Sequence, residues 1–260
     1  MRFFFALFVL IAPAAYADGG DLPSADVLFL GEQHDNPAHH ARQAAIVADV
    51  RPAALVFEML TPDQAGRVTS GLLADQQALE TTLGWRDSGW PDFAMYYPIF
   101  TAAPGARIYG AAVPRERARA VMSDGILAVF GDDADAYGLS DPLPADQQAT
   151  REALQLEAHC DAMPEEMLPM MVDIQRLRDA RLAQEALRAL QDTGGPVAVI
   201  TGNGHARLDW GAPAALSRVA PGVSLFALGQ GEEARAPDGS FDRVETTAGV
   251  DRGDPCAAFR

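Results

Sequence analysis

The chain has 260 residues, 48% of them hydrophobic and 22% charged, an ordinary globular balance and enough length for one large α/β domain or two small ones. Its 20 basic residues stand against 36 acidic ones, for a net charge of −16, and every basic residue is Arg. This balance argues against nucleic acid or an anionic bilayer as partner, since affinity for either comes from neutralising phosphates. The lack of Lys also removes Schiff-base and P-loop lysine chemistry.

Residues 1–17 read as a cleavable signal peptide. Arg2 supplies the positive end, residues 3–11 are an unbroken apolar run, and Ala15-Tyr16-Ala17 forms an A-x-A cleavage site. The run is too short to span a bilayer, and no Cys follows the cleavage point to carry a lipid. The expectation is a periplasmic or secreted protein without stable membrane insertion, with residues 18–260 forming a single α/β domain. In such a compartment Cys160 and Cys256 pair as a disulfide. A bridge closing so long a loop contributes ~3–5 kcal/mol in the chain-entropy account.

Residues 27–30 are four apolar residues, a short buried strand that stops at Gly31. Asn36 and Pro37 are helix-start residues, ahead of an Ala-rich helix over 39–49. Between strand and helix lie Glu32, His34 and Asp35, and His39 and His40 sit on the first turn, so three of the five histidines fall within seven residues. Loops at the carboxyl ends of strands are where α/β sheets bind ligands. Residues 54–57 repeat the pattern, an apolar strand followed by Glu58. The strand–helix–strand spacing predicts parallel strands joined by a right-handed crossover.

A helix starting at Thr61-Pro62 is expected to run to about Leu83. An aromatic insert follows, with Trp85, Trp90, Phe93, Tyr96, Tyr97 and Phe100, and a short helix is expected from Pro91. Most such clusters are core, because aromatic rings bury large areas, but Tyr96 and Tyr97 also carry a polar handle that can face a ligand. Residues 107–113 read as a third strand. A helical insert occupies about 114–192, and its stretch over 144–192 reads as a pair of helices broken near 161–164. The Asp-rich loop at 131–135 lacks the Gly and Glu of a calcium loop and reads as a solvated turn. Met163, Met167, Met170 and Met171 form an adaptable apolar face, suited first to core packing and second to a large flat ligand.

Residues 196–200 are the cleanest strand, leading into Thr201-Gly202-Asn203-Gly204-His205 and an amphipathic segment through 216. Gly31-Glu32-Gln33-His34 and Gly202-Asn203-Gly204-His205 share one Gly-x-x-His spacing. Residues 223–228 are a last strand, and the Gly-, Asp- and Pro-rich remainder reads as a loose tail held by Cys256. Glu32, His34, Glu58 and His205 should therefore meet on one rim. Two imidazoles and two carboxylates can ligate a divalent metal, or act as general base and orienter without one.

Several separated motifs carry a family resemblance. Leu30-Gly31-Glu32-Gln33-His34-Asp35-Asn36-Pro37, Val56-Phe57-Glu58-Met59, Gly89-Trp90-Pro91-Asp92, His159-Cys160, Met163-Pro164-Glu165-Glu166-Met167-Leu168-Pro169 and Thr201-Gly202-Asn203-Gly204-His205 together resemble the ChaN-like proteins. That family is grouped with Tiki-type and TraB-type proteins and the erythromycin esterases. The resemblance implies an α/β core with a mostly parallel central sheet flanked by helices, a helical lid-like insert, and a role in haem or iron uptake outside the cytoplasm. It also implies Tyr ligation of haem, by Tyr96, Tyr97 or Tyr137; His159, at the helix break, and Met167 and Met171, on the adaptable face, are read from the residues as further contacts. No Cys-x-x-Cys-His occurs, so covalent haem attachment is excluded.

Two functions compete at this point. One is an exported haem-binding protein, whose haem lies between the aromatic insert and the Met-rich helices and is open to pairing of two chains as a homodimer. The other is a hydrolase, protease- or esterase-like, that uses Glu32, His34, Glu58 and His205 with or without a divalent metal.

Overall fold

The computed structural model describes residues 22–257; the expected signal peptide lies outside the described residues. Six parallel strands form one sheet in the order β3-β2-β4-β1-β5-β6. Strand β1 is Val27–Glu32, and α1 (Pro37–Val50) carries the chain across to β2 (Ala54–Phe57). Asn36 caps α1 by accepting the Ala38 N–H at 2.9 Å, and Pro37 occupies the first turn, as their order in the sequence predicts.

The expected helix over 61–83 is broken into α2 (Pro62–Ala65), a short 3₁₀ turn at Leu72–Ala74 and α3 (Gln76–Leu83). Gly66 ends α2, and Asp75 caps α3 by accepting from the Ala78 N–H. The aromatic insert forms α4 (Phe93–Ala102), which packs on α1, and the chain then enters β3 (Arg107–Gly110). This strand is shorter than the apolar run suggests, because after Gly110 the backbone bonds to the ends of β2, through Ala111 to Phe57 and Ala112 to Leu60.

The segment between β3 and β4 is helical, as expected: α5 (Arg115–Phe130), α6 (Ala145–Ala158) and α7 (Leu168–Thr193), with a turn and a 3₁₀ segment between the last pair. Strand β4 (Val197–Gly202) lies between β1 and β2. After it come α8 (Asn203–Ala206), α9 (Ala212–Val219), β5 (Leu225–Glu232) and β6 (Arg243–Thr247). Strand β6 corrects the reading of a loose tail. It is an edge strand of half-exposed polar residues, Arg-Val-Glu-Thr-Thr, with no apolar run to announce it.

Alternate side chains of the central strands enter two separate cores, as buried parallel strands require. Val27, Phe29, Val56, Val197 and Val199 pack against α5, α7 and α9. Leu28, Leu30, Leu55, Phe57 and Ile200 pack against α1, α3 and α4. Both faces are covered, so solvent meets the middle of the sheet at its strand ends. A disulfide between Cys160 and Cys256, with Cα atoms 5.6 Å apart, ties the C-terminal segment to the end of α6. Among the described residues no helix is long and apolar enough to cross a membrane.

Candidate functional site

The three central strands β2, β4 and β1 end side by side, and their carboxyl ends carry Glu58, His205 and Glu32. The register that pairs Gly31 with Thr201 and Glu32 with Gly202 brings the two Gly-x-x-His elements level. Gly31 has no room for a side chain: a Cβ would stand 2.5 Å from Asn203 Oδ1 and 2.7 Å from the Leu228 carbonyl oxygen. Gly202 lies under the His34 ring, where a Cβ would come 2.9 Å from His34 Nε2. The rim therefore assembles the four residues that the sequence singles out.

On the α4 side the network centres on Glu32. Glu32 is buried, and its Oε1 accepts from the Tyr96 hydroxyl at 2.7 Å and from His34 Nδ1 at 2.8 Å. Its Oε2 stands 3.3 Å from Nδ1 of the buried His40, and neither atom has a hydrogen-bond partner among the described residues. Nε2 of His40 donates to the His34 carbonyl at 2.8 Å. The His34 ring meets Trp90 edge-on, 4.8 Å between centroids. Burial opposes a charge on His34, but the Glu32 hydrogen bond and the Glu58 and Glu32 charges outweigh it and raise its pKa to about 9. His39 has a structural role: Nδ1 accepts from the Gln33 N–H at 2.9 Å, Nε2 donates to the Gly231 carbonyl at 3.1 Å, and burial lowers its pKa.

On the α7 side the network centres on Glu58 and reaches the wall of a cleft. Glu58 Oε2 accepts from the Thr201 hydroxyl at 2.7 Å and the Gly202 N–H at 2.8 Å, while Oε1 is 3.7 Å from His205 Nε2. Burial works against its charge, yet His205, His34 and those two donors hold the carboxyl down at about 2. His205 Nδ1 donates to Asp179 Oδ1 at 2.7 Å. Burial resists the charge on His205 as well, and Glu58 and Asp179 overcome it to raise its pKa. The result is a line of alternating acids and imidazoles, Asp179–His205–Glu58, beside Glu32–His34.

Asp179 is the member that the sequence motifs do not mark. It lies on α7 at a helical spacing from the buried Val172, Ala183 and Ala186. A lone acid on an apolar stripe is the signal that could have found it, because a buried carboxylate needs a partner.

Asp179 and His205 border a cleft of about 660 Å³, enclosed by α6, α7, the segment after β4 and residues 235–238 and 255–256 near the C-terminus. Leu154, Val172, Trp210 and Pro237 give it apolar wall, and Arg151, Arg207 and Arg235 give it positive charge. The other candidate ligand residues lie elsewhere. Tyr96 is fully buried under Glu32, and burial together with that carboxylate's charge raises its pKa. Tyr97 donates to the Leu73 carbonyl at 2.8 Å. Tyr137 is packed on Phe130 and borders a second, smaller cleft. His159 is half-buried, with Nδ1 2.7 Å from the Gln155 carbonyl, and Met167 and Met171 are half-buried on the helical side. Among the described residues no tyrosine borders the larger cleft.

The expected divalent-metal centre is not supported. Among the described residues no group of three or more His, Cys, Asp or Glu side chains is arranged to hold a metal ion. Part of the rim's ligating capacity is engaged within the protein: Glu32 Oε1 by Tyr96 and His34, Glu58 Oε2 by Thr201 and Gly202, and His205 Nδ1 by Asp179.

Comparisons with known proteins agree with this architecture. ChaN of Campylobacter jejuni, solved as a cofacial haem complex, superposes with a TM-score of 0.62 at 19% identity, over 85% of this chain and 86% of that one. The type III effector HopBA1 matches at 12% identity and TM-score 0.43, over 86% of this chain and 88% of that one. A Bacillus cereus protein matches at 13% identity and TM-score 0.40, over 90% and 72%. No curated protein matches the sequence. The family model for haem-binding uptake proteins of the Tiki superfamily, ChaN, matches residues 20–216. This chain belongs to the ChaN family of haem-binding uptake proteins.

Proposed function

We propose that the protein is exported, released in soluble form, and binds haem in the cleft beside the rim, within haem or iron uptake. The observation that carries this reading is the cleft itself: about 660 Å³, partly apolar, with one imidazole on its wall whose far nitrogen is fixed by a buried carboxylate. Ligand sites of this size and mixed lining are the usual kind for small molecules and cofactors. A histidine whose Nδ1 bonds a carboxylate has the orientation and basicity of a metal-bound imidazole. The residues present therefore fit the group. Haem, when bound, supplies a Lewis-acidic iron that a protein side chain can ligate. His205 would hold the group through Nε2, Asp179 would fix the ring, and Leu154, Val172 and Trp210 would line its apolar surface. Export is supported by the A-x-A segment and by the disulfide, a bond that persists in oxidising compartments.

A haemin titration followed by absorbance tests the reading. Saturation near one haem per chain is expected, with a changed Soret band in His205→Ala. Saturation that is indifferent to His205 would move the ligand elsewhere, and absence of saturation would remove the function.

A second reading, a hydrolase, is favoured by one observation. Asp179–His205 faces a Glu58 held ionised, the pairing of proton carrier and orienter that general acid–base chemistry uses. Turnover of ester or peptide substrates that is lost in both Glu58→Gln and His205→Ala would favour it over simple binding.

A further inference from the structure

The chain after β6 is a strap between two borders of the main cleft. Asn36 Nδ2 donates to the Ala248 carbonyl at 3.1 Å, and the Gly249 N–H donates to Glu233 Oε1 at 2.8 Å. Arg252 then forks onto two carboxylates: Nε and Nη2 donate to Asp35, and Nη1 and Nη2 to Glu232, each at 2.6 Å. Asp35 belongs to the loop after β1, and Gln33 of that loop borders the cleft. Beyond the clamp, Cys256 is bonded to Cys160 just past the end of α6, and Pro255, Cys256 and Cys160 all line the cleft. The strap therefore has an ionic clamp on one border and a covalent tie on the other.

The tied end buries little. Gly253, Asp254, Pro255 and Ala257 are exposed, and Cys256 is half-buried. The N–H groups of Gly253, Cys256 and Ala257 bond back to Asp251 or Asp254, within the strap. A segment that buries so little apolar surface regains its conformational freedom once a cross-link is cut. Gly253 stands directly after the clamp with φ +60°, a left-handed conformation that glycine adopts readily and that suits a pivot. On the facing side Cys160 and Asp161 each hold φ +56°, a conformation unfavourable for residues that carry a Cβ.

We propose that the Cys160–Cys256 disulfide is a redox latch: a dithiol reductant cuts it, residues 253–257 swing out on Gly253, and the main cleft opens at its outer wall. In the exchange a thiolate of the reductant bonds to one cysteine sulfur, the S–S bond breaks, and the other cysteine leaves as a thiolate that takes a proton from water. The reductant's second thiol then displaces the first, so the products are two cysteine thiols and the reductant's own disulfide. Both cysteines are half-buried at a cleft border rather than enclosed in a core, so a thiol can reach them. The Arg252 clamp takes no part, which leaves β6 and the rim in place and lets a disulfide-forming oxidant close the latch again. The latch does not depend on what the cleft holds; its control over haem retention rests on the haem-binding reading above.

The test uses the exported chain in oxidised form, the same chain reduced with dithiothreitol and capped with iodoacetamide, and a Cys160→Ser, Cys256→Ser double variant. Hydrogen exchange is read first, without ligand. Reduction should speed exchange about tenfold at residues 159–161 and 253–257 and leave β1, β4 and α7 unchanged, as a local opening does. The double variant should match the reduced chain. Haemin release to an excess of apomyoglobin is read second, and it should be about tenfold faster from the reduced chain. Unchanged exchange at 159–161 and 253–257 would overturn the latch. Exchange that rises along the whole chain would also overturn it, by making the bond a general stabiliser. Local opening with an unchanged haemin release rate would overturn the control of the cleft. Failure of the oxidised chain to bind haemin would remove the haem reading alone, because the exchange result decides the latch without ligand.

Discussion

The two Gly-x-x-His elements have the same spacing, end adjacent strands and bond a carboxylate through the same ring nitrogen, yet their surroundings differ. His34 bonds Glu32, a residue locked under Tyr96 and against His40. His205 bonds Asp179 on the wall of the cleft. What separates them is the helix each packs against. On one side Tyr96 of α4 buries Glu32, and Trp90, just before that helix, meets the edge of a His34 ring that stays 34% exposed; on the other, α6 and α7 border a cleft with His205, 12% exposed, on its wall. A sequence motif thus supplies the chemistry, while the packing around it decides which copy borders a cleft.

Substitutions can break that comparison, and the largest effect should be on ligand binding. His205→Ala should abolish the haem-linked Soret change, whereas His34→Ala should keep it; equal loss in both would place the ligand across the whole rim. Next come the two glycines. Gly31→Ala drives a Cβ into the Leu228 carbonyl oxygen and should cost roughly 3 kcal/mol or more in denaturant unfolding, as overpacking against backbone does. Gly202→Ala meets only the tip of the His34 ring, which can swing aside, so its cost should be clearly smaller. Tyr96→Phe removes the buried donor to Glu32 and should cost about 1–3 kcal/mol while leaving haem affinity within a factor of two. A large loss of affinity would mean that the α4 side also holds ligand.

The smallest effect is a titration. His34 has its pKa raised above that of an ordinary histidine, so the stability it adds is fully present below about 6.5 and disappears as pH rises through about 9. His39 is lowered, and it should stay neutral well below the point at which His34 titrates. NMR of the ring protons should show the two midpoints in that order. Glu32→Gln should bring the His34 midpoint down, and an unmoved midpoint would show that Glu32 does not hold the charge.

The sheet and its rim were legible because buried parallel strands are written as short apolar runs, and Glu32, Glu58, His34 and His205 stand at the ends of such runs. Asp179 was not, because an acid in a long helix looks solvated until the stripe it shares with Val172 and Ala186 is matched to a neighbour. Strand β6 was missed for the opposite reason: its polar residues are half-exposed, and only the ladder to β5 makes it a strand. The helix expected over 61–83 ends after Ala65, with Gly66 at its C-cap still in the right-handed helical region, and the chain re-enters a helix only where Asp75 caps α3. The arginines of the cleft carry no local signal at all, for residues 151, 207 and 235 come to one cleft only in the folded chain.

The Cys160–Cys256 bond and residues 235–238 make the outer wall of the cleft from the stretch of chain that is synthesised late. A polypeptide emerging amino end first holds the whole rim, from Glu32 to His205, before that wall exists. Loading is therefore ordered in time: a ligand that needs both walls can be retained only once residue 256 is free to find its partner at 160.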